Sequence, residues 1–247
     1  MTIHLYALCW NERRILPQFF AHYDQFVDEY VIFDDSSDDG STELLDEHPK
    51  VQWEPYSVEG DSFVSHATTL YNEMWKQSRG RADWVIICNI DEMIVHPDLV
   101  SVLEEHRQSG ITIERCVGYE MVSLRFPHSR GSLPESIRRG APSELFSKPC
   151  VFRPDEIEEI NFTPGRHLAK PSGNVVWSDP SPIELRHFKH LGYRHLRRRI
   201  HELRATLRPE DRSLYRQSEL QIFRQYLGWL RRSRRLPSVT NAQGWGR

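Results

Sequence analysis

Two short apolar runs that stop at acidic residues constrain this chain most. Tyr30-Val31-Ile32-Phe33 runs into Asp34-Asp35-Ser36-Ser37-Asp38-Asp39-Gly40-Ser41, and Trp84-Val85-Ile86-Ile87-Cys88 runs into Asn89-Ile90-Asp91-Glu92. Runs of this kind read as buried parallel strands. In open α/β sheets, ligands sit outside the carboxyl ends of such strands. Two acidic strand ends on one edge suit a bare phosphate poorly. They suit a base or ribose at one end and a metal-bridged diphosphate at the other. A third buried-strand run, Ile3–Cys9, ends in Trp10-Asn11-Glu12. A helical pattern follows over 14–26, with Ile15, Phe19 and Tyr23 at spacings of four.

Strand and helix alternate through the first 110 residues. Strands are expected near 3–9, 29–34, 50–54 and 83–90, and helices near 14–26, 40–47, 61–78 and 97–109. That order predicts an α/β fold with a mostly parallel sheet flanked by helices. Farther on, strands are expected at 111–113, 116–124, 150–153, 157–163, 174–177 and 183–188. The stretch from Arg125 to Lys148 is rich in Ser, Gly, Pro and Arg and has no periodicity, so it reads as a long loop. The end is helical: Leu196, Ile200, Leu203 and Leu207 recur at helical spacing among arginines, and a second helix is expected over about 212–235. The division is then 1–190 as the α/β domain (1–110 nucleotide-binding half, 111–190 acceptor half), 191–236 as a basic helical extension and 237–247 as a flexible tail.

With 38% apolar residues and seven Trp, the chain can bury one large core. No stretch approaches the roughly 20 apolar residues of a membrane span, and no secretory signal is read at the start. Cys9, Cys88, Cys116 and Cys150 are scattered and are expected to be reduced thiols of a cytoplasmic protein. The net charge of −3 hides an asymmetry. Residues 1–105 carry 21 acidic and six basic side chains, whereas residues 186–235 carry 15 basic and four acidic ones. The acidic half holds the expected metal site, and the basic end could meet an anionic partner. A basic amphipathic helix with aromatic residues suits a peripheral contact with the inner face of a membrane; its alternative is core packing with solvated arginines. No nucleic-acid-binding motif accompanies the charge.

An ordered series of blocks resembles the inverting glycosyltransferases of the GT-A fold, of the family-2 type, in the bacterial branch associated with surface-polysaccharide or lipopolysaccharide assembly. The blocks are Asn11-Glu12, Asp34 to Ser41, Asn89-Ile90-Asp91-Glu92 in the place of the family's Asp-x-Asp, Ser147-Lys148-Pro149 to Arg153-Pro154, Ile160 to His167, and His187-Phe188-Lys189-His190-Leu191-Gly192. The resemblance spans roughly residues 1–210. It implies a nucleoside-diphosphate sugar as donor, a divalent metal (Mn or Mg), a saccharide or lipid-linked acceptor, and inversion. It makes Asp91 the metal contact and His187 its distal partner. Asp34, with Asp35, becomes the base or ribose contact, with Asn11 and Glu12 lining the same pocket. Asn89 replaces the first Asp of the motif and keeps the ability to bind a ribose hydroxyl. His167 is placed toward phosphate or acceptor.

The residues leave alternatives open. Asp91 and Glu92 could cap the next helix, and Asp34 could simply stabilise a turn. An inverting transfer needs a carboxylate base. Glu120, on a strand, is preferred to Asp155 or Glu156 in a turn because a strand positions it more rigidly. Lys148, Arg153 and Arg166 either neutralise phosphate or are solvated. A non-catalytic sugar-nucleotide-binding or scaffold protein, with Asn89 marking a degenerate motif, is the main alternative function. A nucleotidyltransferase is the third.

Overall fold

A computed structural model describes residues 1–58, 60–128 and 131–237. Its strands are β1 (Ile3–Cys9), β2 (Glu29–Asp34), β3 (Val51–Pro55), β4 (Trp84–Ile87), β5 (Glu92–Val95), β6 (Ile113–Glu114), β7 (Val117–Ser123), β8 (Arg139–Pro142), β9 (Val151–Phe152), β10 (Ile157–Glu159), β11 (Ser172–Gly173), β12 (Trp177–Ser178), β13 (Glu184–Leu191) and β14 (Arg234–Arg235). Its α-helices are α1 (Leu16–Tyr23), α2 (Ser41–Asp46), α3 (Phe63–Glu73), α4 (Leu99–Gln108), α5 (Leu133–Ser136), α6 (Tyr193–Thr206) and α7 (Glu219–Arg232).

The fold is mixed α/β, as the strand–helix alternation predicts. The first sheet has the order β12-β6-β9-β4-β1-β2-β3. β1 pairs parallel with β2 and with β4, and β2 pairs parallel with β3. All seven residues of β1 are buried, because the strand is central and covered on both faces. Its side chains divide with a period of two. Ile3, Leu5, Ala7 and Cys9 join a core with Phe19 and Tyr23 of α1, while Tyr6 and Leu8 join a second core with Tyr71 of α3.

The second sheet has the order β14-β8-β7-β13-β5. The chain enters it directly after β4: residues 88–91 carry it from the first sheet to the second. The short strand β5 is not expected from the sequence, which reads one strand over 83–90. Met93-Ile94-Val95 looks like its continuation, and only tertiary pairing with β13 separates the two. Register then sets the site. His187 of β13 stands opposite Glu92 of β5 on one side and Glu120 of β7 on the other.

The expected long loop at 125–148 is corrected. It contains α5, β8 and a 3-10 turn at Glu144–Phe146. β8 reads Arg-Gly-Ala-Pro, which has no strand propensity. It pairs with β7 all the same, and Gly140 leaves room for the Met121 side chain: a Cβ there would lie 2.6 Å from Met121 Sδ. The expected helix over 212–235 is shorter, with a 3-10 turn at Glu210–Tyr215 before α7. The basic extension is joined to the second sheet. Ile222 and Tyr226 of α7 pack with Leu196 and Ile200 of α6 on Val122 of β7, and β14 pairs with β8. The expected flexible tail lies, from residue 238 on, outside the described residues. All four cysteines are buried free thiols. Among the described residues no helix is long and apolar enough to cross a membrane.

Candidate active site

The carboxyl ends of β1 and β2 are tied to each other before any ligand is considered. Asp34 is 2% exposed, and its carboxylate accepts from the Ser37 hydroxyl (2.6 Å) and the Ser37 amide (2.8 Å). The Asn11 amide nitrogen donates to Asp38 (2.9 Å), while its oxygen accepts from the Asp38 backbone (2.8 Å). Asn11 and Ser36 both have positive φ, 53° and 57°, in the left-handed region that most side chains avoid. Asp35 is half-buried, and burial raises its carboxyl above the ordinary value. Asp34 and Asn11 therefore build the rim itself, as the turn reading anticipates; Asp34 is turned inward onto Ser37, and Asn11 keeps a partly exposed edge.

Glu12 behaves differently. It is ion-paired with Arg199 of α6. The same guanidinium donates to the backbone oxygens of Trp10 (2.7 Å) and Asn11 (3.1 Å) and lies 4.7 Å from the centre of the Trp10 ring. Burial pushes the Glu12 carboxyl up to about 8 against the opposing effect of Arg199. Between this loop and α6 lies a cavity of about 600 Å3, lined among others by Asn11, Glu12, Asp38, Arg198 and Arg199. Asp34, Asp91 and His187 do not line it.

At the end of β4 the motif separates into two clusters. The Asn89 side chain faces inward: its oxygen accepts from the Tyr71 hydroxyl (2.8 Å) and from Arg166 (3.0 Å). Glu92 is fully buried and accepts from Lys148 Nζ (2.5 Å), Arg166 Nη2 (2.7 Å) and the Asn89 amide (3.0 Å). Lys148 and Arg166 are 2% and 1% exposed, which removes the solvated alternative for both. Burial alone would raise the Glu92 carboxyl, but the two cations outweigh it and hold it well below its ordinary value. Burial lowers Lys148 in turn, with Glu92 opposing. One carboxylate against two cations leaves this buried trio with an excess positive charge. Arg166 itself sits at φ 59°, a strained backbone kept by these contacts.

Asp91 points the other way, with its side chain 25% exposed. Its Oδ2 lies 3.2 Å from His187 Nε2, and His187 Nδ1 lies 3.1 Å from Glu120 Oε1. Glu120 Oε2 accepts from His190 Nδ1 at 3.1 Å. His187 and His190 are three apart, so a regular strand would put them on opposite faces. A register shift between them brings both to Glu120. Burial opposes charge at each of these groups. Even so, Glu120 and Asp91 raise the His187 imidazole to about 10, and His187 lowers the Asp91 carboxyl. Glu120, 4% exposed, is likewise held below its ordinary value by His187 and His190.

Phe146 stacks on His187, with ring centres 4.0 Å apart, and meets His167 edge-on at 5.8 Å. His167 thus lies one ring away from His187, with its Nδ1 donating to the Leu145 carbonyl (2.7 Å). Asp155, the weighed alternative base, accepts from the Gly80 amide (2.7 Å), just before the amino end of β4 and away from Asp91. The structure therefore gathers Asp91, Glu120 and His187, places Lys148 and Arg166 in the buried trio with Glu92 and sets Asn89 against it, and leaves Asn11, Glu12, Asp34 and Asp35 along the adjoining rim. Sequence reasoning did not find Glu92 as the centre of the trio, His190 as the second partner of Glu120, or Arg199 as the partner of Glu12. The first had a signal, its place in the motif; the other two had none.

Asp91 and His187 offer one oxygen and one nitrogen at a single point. Among the described residues no group of three or more His, Cys, Asp or Glu side chains is placed to hold a metal ion alone. The pair therefore fits only an ion that takes its other ligands from substrate oxygens and water, as magnesium-type sites on phosphates do.

No family model and no curated protein matches the chain. Solved structures of TarS from S. aureus are similar in fold. TarS 1-349 gives a TM-score of 0.46 at 13% identity, over 92% of this chain and 71% of that one. TarS 1-349 in complex with UDP-GlcNAc gives 0.46 at 12%, over 92% and 72%. A longer TarS chain gives 0.43 at 14%, and this chain covers 43% of its length. At such identity the likeness assigns no role to any side chain.

Proposed function

We propose that this protein is a glycosyltransferase that moves a sugar from a nucleoside-diphosphate donor to a saccharide or lipid-linked acceptor with inversion. The observation that carries the reading is the line Asp91–His187–Glu120 at the carboxyl end of β4, where an α/β sheet presents its ligands. The rim of Asn11, Glu12, Asp34 and Asp35 offers acceptors for base and ribose donors. The buried trio of Glu92, Lys148 and Arg166 adds a fixed positive charge beneath the place where a diphosphate would lie. Such preorganised charge favours the anion that grows on the leaving group.

Asp91 and His187 would hold a manganese or magnesium ion together with the donor phosphates, and that ion would supply Lewis acidity to the departing diphosphate. His187 would give up its Nε2 proton to do so, since a ligand imidazole must be free at the binding nitrogen. Glu120 faces the other ring nitrogen as an ion-pair partner at 3.1 Å, without hydrogen-bond geometry, and would orient the ring by charge. With one oxygen hydrogen-bonded by His190, the other facing the His187 ring, and only 4% exposure, Glu120 is better suited to positioning His187 than to deprotonating an acceptor. His167, beyond Phe146, faces the acceptor side.

The deciding experiment is a thermal-shift panel of nucleoside diphosphates and their sugars, with and without manganese, followed by a transfer assay with the best donor. A ligand that binds the folded state raises its melting temperature. A manganese-dependent shift and turnover that both vanish in Asp91→Asn support the reading. Donor binding without transfer under any condition would favour the non-catalytic alternative, which the inward-facing Asn89 makes a specific rival.

A further inference from the structure

We propose that the outer face of α7, with the 3-10 turn before it, docks on an anionic lipid bilayer. Two sets of side chains divide this helix. Ile222 and Tyr226 are buried against α6 and β7. Leu220 and Phe223 are 54% and 39% exposed, and Leu214 on the preceding turn is 54% exposed. Three exposed large hydrophobic residues thus fall within ten positions, 214–223. Core packing accounts for the first set; in the second, Phe223 meets Tyr193 edge-on at 5.0 Å with part of its ring, and the exposed remainder, with Leu214 and Leu220, is left unexplained.

The surroundings are cationic. Arg212, Arg216, Arg224 and Arg231 are exposed, and none has an ion-pair partner among the described residues. Leu220, Arg224 and Arg231 follow one another at helical spacing along the outer side, with Phe223 beside them. Three of the four acidic residues of this region are engaged, while Glu210 on the 3-10 turn is exposed and has no ion pair among the described residues. Glu219 pairs with Arg197 and His201, Glu202 with Arg198, and Asp211 accepts from Ser62 and the Phe63 amide.

Charge complementarity selects the occupant. Apolar side chains set among arginines match the boundary of headgroups and acyl chains, where the rings and aliphatic groups enter and the guanidinium groups stay with lipid phosphates. A nucleic acid would use the arginines and leave Leu214, Leu220 and Phe223 in water. A second copy packed on the same face by a twofold axis would set arginine against arginine. The surface also adjoins the candidate site, because α6 links it to Glu12 through Arg199. Docking would therefore hold the cavity near a bilayer-bound substrate, but the proposal does not depend on that use.

The test is flotation of the full chain with vesicles of phosphatidylcholine containing phosphatidylglycerol, and with phosphatidylcholine alone. Wild type should float with the anionic vesicles at low salt, and much less at high salt, because exposed charges are screened. Arg216→Gln/Arg224→Gln/Arg231→Gln should weaken partitioning on the order of 100-fold. Leu220→Ser/Phe223→Ser should lose the part that survives high salt. Both variants alter exposed positions and should keep the wild-type melting temperature and donor thermal shift. Failure of wild type to float with anionic vesicles at low salt overturns the proposal. So does flotation of the Leu220→Ser/Phe223→Ser form equal to wild type, which would reduce the surface to a bare polycation. Binding to single-stranded RNA without flotation, or a dimer that the serine pair dissociates without flotation, would assign the surface to those partners instead.

Discussion

Asp91 and Glu92 are neighbours in sequence, yet the two carboxylates live in different regimes. Glu92 is fully buried, with three donors converging on it from β9's approach, the Pro164–Arg166 turn and its own loop. Asp91 is one-quarter exposed and ion-pairs with His187. A saturated charge in the interior fixes structure, because removing any partner leaves another charge buried without compensation. A charge at the rim with coordination to spare can take up a substrate or an ion. The peptide between these residues is also where the chain passes from the first sheet to the second, so one turn feeds both regimes.

The largest effect should come from breaking the saturated side. Glu92→Gln leaves Lys148 and Arg166 buried against a neutral amide and should cost about 3–5 kcal/mol of stability. Urea unfolding followed by circular dichroism would measure it. A loss under about 1 kcal/mol would mean the trio is not what holds this turn, and the contrast with Asp91 would collapse. The open side predicts the reverse. Asp91→Asn should change stability by less than about 1 kcal/mol, while transfer falls by roughly 100-fold or more, the scale seen when a fixed charge at the reacting centre is removed. Near-normal turnover with the true donor would remove Asp91 from the reaction; the helix-capping alternative is already excluded, because β5 follows Asp91 and Asp98 caps α4.

Glu120 lies between the two regimes: buried, yet connected to the rim through His187. Glu120→Gln should lower activity by roughly 10–100-fold, as the loss of a residue that orients a ligand does. Excess manganese should restore much of it, because the defect is in His187's orientation and the metal's affinity. A fall in kcat that manganese leaves unchanged, with the fold intact, would instead identify Glu120 as the base that deprotonates the acceptor.

The same contrast explains what could be read in advance. The strand ends were legible because apolar runs with period-two burial stop where the chain meets the ligand edge. Asp91 is named from such a strand end, Glu120 from its place within a strand and His187 from the family resemblance, and register pairs bring His187 beside the other two. The Lys148–Glu92–Arg166 trio was not legible. Its members are 56 and 74 residues apart, and a buried ion pair leaves no periodic mark. The shift that turns both His187 and His190 to Glu120 violates the strand period, so pattern reading separates them. β8 escaped for a related reason: Arg-Gly-Ala-Pro has no strand pattern of its own, and tertiary pairing with β7 and β14 makes it one.

A last prediction asks whether pairing, or burial itself, sets the behaviour of the interior. His22 of α1 is 7% exposed and has no carboxylate partner; its Nε2 donates to the Ile94 carbonyl (2.7 Å) and its Nδ1 accepts from Ser132 (3.1 Å). Burial lowers its imidazole to about 4, with only partial opposition from the Ile94 carbonyl. The folded value lies below the unfolded one, near 6.5, so the stability it contributes is present above that range. It is lost as pH falls toward about 4, because the unfolded chain gains the proton first. Between pH 7 and pH 5.5 the loss should be roughly 1 kcal/mol. His22→Gln keeps a donor for Ile94 and removes the titration. Its stability should therefore fall less steeply than that of wild type over the same interval, whatever constant cost the substitution carries. Equal slopes would show that His22 takes up its proton as readily folded as unfolded. Burial without a partner would then be too weak to set charge in this interior, and the two cations at Glu92 would have little burial to outweigh in depressing its carboxyl.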